Sequence, residues 1–168
     1  MATLPQPEII EIKNEISAIP SQRARILEAI RLILSTITTG RGYSKTVCEV
    51  GYDVKGWQTK SEDQTPVIYI IDDTTDITRH AGCVREYRWR VRLYGVFKGG
   101  NNSIIDVEKF ITDIEQCIYD NNSLAAEVNK VEVDSIATDN QLFSVQQDTH
   151  LFEIVLLVEY TRQARDAR

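Results

Sequence analysis

Two histidines and three cysteines are the nitrogen and thiolate ligands this sequence offers a transition metal, and only His80 and Cys83 stand at ligand spacing. A structural zinc site takes four such ligands. No second pair accompanies this one, so both residues are expected in an ordinary loop. Asp72, Asp73 and Asp76 supply the oxygens a hard cation takes, without the EF-hand pattern or its closing glutamate, and a solvated loop is expected there too. The run Lys98-Gly99-Gly100-Asn101-Asn102 precedes a helical segment, where free amides and the helix dipole attract anions. Gly-Gly and Asn-Asn are equally turn chemistry, the simpler reading. No Gly-x-Ser-x-Gly, Walker or Gly-x-Gly-x-x-Gly pattern occurs. The last candidate is cationic: Arg88, Arg90 and Arg92 around Trp89 have the mix of single-strand nucleic-acid binders. On a strand, Trp89 points away from those arginines, and cross-strand or intersubunit ion pairs fit them better. No enzyme activity, cofactor or metal is expected.

Hydropathy spacing defines the elements that must hold these residues. Residues 1–20 contain Pro5, Pro7 and Pro20 and predict an arm with one or two helical turns. From Ser21, an N-cap residue type, Ile26, Leu27, Ile30, Ile33, Leu34 and Ile37 fall on one helical face, which Gly40 and Gly42 end. Strands are predicted over 46–54 and 66–72. Between them lies a solvated loop, 56–65, which holds an unusual Trp57 and little else to bury. A polar loop at 72–83 precedes the longest strand, 84–98. There Tyr87, Trp89, Val91, Leu93 and Phe97 alternate with Glu86, Arg88, Arg90 and Arg92. After a turn at 99–103, Val107, Phe110, Ile111, Ile114, Cys117 and Ile118 mark a second helix to about Tyr119. Strands over 130–137 and 150–161 complete the pattern.

Two helices with one apolar stripe each, and strands that alternate, are accommodated by an α+β fold. It is expected as a mainly antiparallel, mixed sheet of about five strands with both helices on one face, in the order α-β-β-β-α-β-β. One domain would span 21–162, between an N-terminal arm at 1–20 and a C-terminal tail at 163–168. The sheet's other face would carry Arg88, Arg90, Arg92, Tyr94 and Val96 from one strand and Glu153, Val155, Leu157 and Glu159 from another. An apolar middle with charged flanks marks a partner surface, and these residues are the candidate subunit interface. Glu86, Glu132, Asp134, Glu153 and Glu159 are the carboxylates expected to face the arginines.

The 168 residues are 42% hydrophobic and 26% charged, close to the globular average, and suffice for one core. The most apolar run, residues 151–160, is broken by Glu153 and Glu159, so no membrane span is read. The N-terminal residues lack the basic and apolar regions of a secretory signal, which places the chain in a cytoplasm with Cys48, Cys83 and Cys117 reduced. A formal net charge of −6 disfavours a dedicated nucleic-acid binder.

In order of elements and in texture, SQRARILEAIRLILSTI, REYRWRVRLYGVFKGG, SIIDVEKFITDIEQCIYDN and HLFEIVLLVEYTRQ resemble the tail-terminator (tail-completion) proteins of tailed bacteriophages, over about residues 21–162. The resemblance implies a virion protein assembled in the host cytoplasm, a homo-oligomeric ring typically of about six subunits. Such a ring sits on the last ring of tail-tube protein, stops tube growth and offers a surface to the neck or connector protein. DNA would pass its lumen without specific binding, aided by acidic walls. The family has no catalytic residues or cofactor, and no membrane is involved. The N-terminal arm is longer than that pattern and fits a neck or head-tail connector subunit as an alternative. A nucleic-acid-binding module using Arg88, Arg90 and Arg92 is the rival of a different class.

Overall fold

The fold is described by a computed structural model covering residues 6–99, 103–139 and 149–163. The chain runs through α1 (Gln6–Ser17), α2 (Gln22–Leu34), β1 (Glu49–Gly51), β2 (Val67–Ala81), β3 (Val84–Lys98), α3 (Ser103–Asp120), β4 (Lys130–Asp139) and β5 (Thr149–Gln163). One mixed sheet has the order β1-β2-β3-β5-β4, with β1 parallel to β2 and every other pair antiparallel. The architecture is the α+β fold expected, with one helix more. Of the tail expected at 163–168, Gln163 ends β5 and residues 164–168 lie outside the described residues, as do residues 100–102 of the 99–103 turn.

The core forms where odd residues of β3 meet even residues of β5. Trp89, Val91, Leu93 and Phe97 lie on the same sheet face as Phe152, Ile154, Leu156, Val158 and Tyr160, and all are buried. Onto that face α2 sets Ile26, Ala29, Ile30, Ile33 and Leu34, and α3 sets Val107, Phe110, Ile111, Ile114, Cys117 and Ile118. Ser21 caps α2, its hydroxyl accepting from the Ala24 amide at 3.3 Å, which satisfies one of the orphan donors of the first turn.

Three expectations need correction. The arm expected at 1–20 contains a 12-residue helix rather than one or two turns. Pro7 lies in its first turn, where a missing amide costs nothing. Ile12 and Ile16, four residues apart, are buried in the shared core. Residues 72–83 are not a loop: β2 continues to Ala81, turns at Gly82 and Cys83, and pairs Ala81 with Val84 in a long hairpin. Gly82 has φ +59°, a left-handed conformation that suits glycine at so tight a turn. The predicted strand at 46–54 shrinks to Glu49–Gly51, because only Val50 of its apolar residues finds a buried place.

Candidate functional site

Across the face of the sheet away from the helices, the register sets Arg92 beside Ile71 and Val155, Arg90 beside Leu157, and Arg88 beside Asp76 and Glu159. Each arginine meets a carboxylate of its own chain. Arg88 Nη2 lies 3.1 Å from Glu159 Oε1 and Arg90 Nε 3.8 Å from Asp134 Oδ2. Arg92 reaches two, with Nε 2.7 Å from Asp73 Oδ2 and Nη1 3.4 Å from Glu153 Oε2. The stripe is thus a cross-strand ladder in which the carboxylates separate the like charges. Asp134, Glu153 and Glu159 stand where the alternation placed them. Glu86 pairs instead with Arg79 at 3.9 Å and Glu132 with Lys130 at 2.6 Å.

Asp73 was not foreseen in this ladder because its segment read as a loop. A register shift between Asp72 and Thr75 separates the two neighbouring aspartates. Asp73 faces the outer ladder, where the Arg92 side chain holds its carboxyl below the usual range and is itself raised in return. Asp72 serves the helix side. Its Oδ1 accepts from Trp89 Nε1 at 2.7 Å and from Arg23 Nη2 at 3.1 Å, while the Arg23 guanidinium sits 4.1 Å above the indole. Arg23 also donates to Thr75 Oγ1 at 2.7 Å. The acidic trio therefore stands at three separate places, with Asp76 opposite Arg88 in the register, rather than around one cation site. Among the described residues no three His, Cys, Asp or Glu side chains form a metal-binding group.

The outer face is not bare, which corrects one part of the candidate interface. Val67, Tyr69, Val96 and Leu151 form a second buried cluster, against which Val54, Trp57 and Tyr94 pack. Residues 52–65, of which 56–65 were expected as a solvated loop, fold back over this end of the sheet as a strap with two short 3-10 turns. Val96 is fully buried beneath it and Tyr94 half-buried beside it. The signal was Trp57, an aromatic with no periodic partners in its own segment. Beyond the strap, Val155 is 9% exposed and Leu157 half-buried, so the apolar middle lies shallowly between the charged side chains.

Lys98 fastens the strap. Buried to 9% exposure, it donates from Nζ to the carbonyls of Gln58 at 3.1 Å and Lys60 at 2.6 Å. That amine therefore serves the chain's own backbone and not an anion at the following turn. A buried cation is tolerated only with such partners. Replacing Lys98 by Met keeps the stem and leaves both carbonyls without the charged donor, so Trp57 should move toward water. Its emission is expected to shift to the red against a constant contribution from fully buried Trp89, with a stability loss of about 1–3 kcal/mol. An unchanged spectrum would show that the strap is held by Trp57 packing alone.

His80 faces Arg85 in the hairpin and Cys83 is exposed at its turn. Cys117 is buried under α2, and burial pushes its thiol up to about 11. Among the described residues no helix is long and apolar enough to cross a membrane. Comparison with protein-family models and with curated proteins gives no match.

Proposed function

We propose that this chain is a structural virion subunit, a tail terminator that closes into a ring on the end of the tail tube, stops tube growth and presents a surface to the neck. The observation that carries this reading is the form of the sheet. Among the described residues β1 and β4 each have a single neighbour, so both edges are open, while β2, β3 and β5 run 15 residues each. Open edges invite uncontrolled strand addition. A subunit whose flanks are met by neighbours in a closed ring removes that hazard, and a head-to-tail contact that closes can cap a stack whose own surface it does not repeat. The order of elements from α2 to β5 also agrees with the resemblance in the sequence.

The connector alternative rested on the N-terminal arm, and α1 is instead packed into the common core. The nucleic-acid alternative rested on Arg88, Arg90 and Arg92, each of which is engaged by a carboxylate. Light scattering of the purified chain, alone and with tube protein, tests the proposal together with electron microscopy of tube ends. A ring mass that is a multiple of 19.2 kDa and tubes of arrested length are expected. A chain that stays monomeric at high concentration and leaves tube ends free would overturn it, and salt-dependent binding of DNA in its place would favour the nucleic-acid module.

A further inference from the structure

We infer that the tip of the β2–β3 hairpin of one copy docks into the groove between α3 and β4 of a second copy, joining Arg85 to the groove's Glu115. The inference rests on the ring reading and names the surfaces that make its contact.

The tip concentrates positively charged side chains. The register aligns His80, Arg85 and Arg162 across three adjacent strands, and Arg85 stands directly opposite Arg162. Directly opposed like charges destabilise a sheet unless a carboxylate intervenes. Among the described residues Arg85 has no ion pair, although Arg79 and Arg88 nearby each have one. Arg85 shares its sheet face with Tyr87, and opposite Tyr87 lies Ile77, which is 48% exposed. The tip therefore offers an arginine with no ion pair among the described residues, followed by an apolar side chain.

The groove offers the converse. It encloses about 570 Å³ between the C-terminal half of α3 and the start of β4, with Ile118, Val131 and Val133 in its lining. Glu115 lines it as well and makes no ion pair among the described residues, whereas Glu132 is engaged by Lys130. Two helical turns before Glu115, Glu108 stands exposed on the same stripe of α3. At the other end Tyr119 is 74% exposed. An apolar lining with a free carboxylate accepts an apolar residue flanked by arginine. A phosphate backbone would meet Arg85 but leave Ile77 with nothing to bury against, and Glu115 in the groove repels it. Since tip and groove are different patches, each copy can give one and receive one, as a closed ring requires.

The test is a charge-reversal cycle followed by analytical ultracentrifugation of the full chain. Arg85→Glu and Glu115→Arg should each weaken self-association by about tenfold or more, as close interface charge pairs do. The double variant should return to within about threefold of the original, since the pair is restored with its polarity exchanged. Melting temperatures report on folding, and Arg85→Glu should leave the melting temperature about unchanged, because Arg85 is exposed and makes no ion pair among the described residues. A parent chain that assembles but ignores both reversals overturns the docking alone. A double variant no better than the single ones also overturns it. Unchanged assembly with lost binding of a labelled single-stranded oligonucleotide by Arg85→Glu would assign the tip to nucleic acid instead. A parent chain that never associates overturns the docking and the ring together.

Discussion

Gly95→Ala is expected to destabilise the fold by about 3 kcal/mol or more, although alanine is the better strand residue by roughly 0.5–1 kcal/mol. Gly95 lies in β3 directly opposite Phe152, and a Cβ there would stand 1.9 Å from Phe152 Cζ and 2.3 Å from two further ring carbons. The ring covers the glycine face-on. It cannot retreat, because Phe110 meets it edge-on with centroids 6.0 Å apart and both side chains are fully enclosed. The need for glycine is thus one of close approach, and the overlap outweighs the gain in strand propensity. Out of a total stability of about 5–15 kcal/mol for a domain, such a loss is large. Phe152→Leu leaves room for the added methyl, so the pair Gly95→Ala with Phe152→Leu should cost less than the sum of its parts by about 1 kcal/mol or more. Urea titrations of the four proteins measure this. A single Gly95→Ala variant as stable as the parent would mean that Phe152 does not lie over the strand.

This contact was not legible in the sequence, where the alternation of the strand carries no sign of what covers Gly95. What was legible depended on burial. Alternation in β3 and β5 and the 3.6-residue spacing in α2 and α3 are imposed by one shared core, and the elements stand where those periods placed them. Signals failed where an element works at the margin of that core. The outer half of β2, Asp72 to Ala81, runs mostly past the helices, so neither of its faces had to be apolar and the alternation vanished. Its β-branched residues Thr74, Thr75, Ile77 and Thr78 were the remaining strand signal, outweighed by three aspartates. The strap was missed for the opposite reason. Val54 and Trp57 pack it down and one lysine from β3 fastens it, and none of these contacts leaves a period to detect. Of the candidate interface, the arginine ladder followed from parity alone, whereas the burial of Val96 required knowing that the strap folds back.

Trp89→Ala is expected to cost about 3–5 kcal/mol, and the size of that loss decides what the residue does. Trp89 is the largest fully buried side chain, and three groups depend on it. Its indole N–H donates to Asp72, Arg23 stacks on its face, and Tyr160 meets it edge-on at 6.1 Å. The polar contacts are the smaller part. The Asp72 side chain is 56% exposed and the Arg23 side chain 33%, so water can replace what the indole provides them and the ion pair between them is screened. The cavity has no such substitute, because an apolar void loses its dispersion contacts outright. Trp89→Phe separates the two contributions. It keeps an aromatic platform under Arg23 and most of the volume while removing the N–H, and should cost about 1–2 kcal/mol, a hydrogen bond to a carboxylate discounted for exposure. If Asp72→Asn in the Trp89→Phe background adds nothing further, the Asp72 contact works only through the indole. A Trp89→Phe loss as large as that of Trp89→Ala would reverse the ranking. The Asp72–Trp89 bond, rather than packing, would then be what ties the outer half of β2 to the core and sets the hairpin's direction.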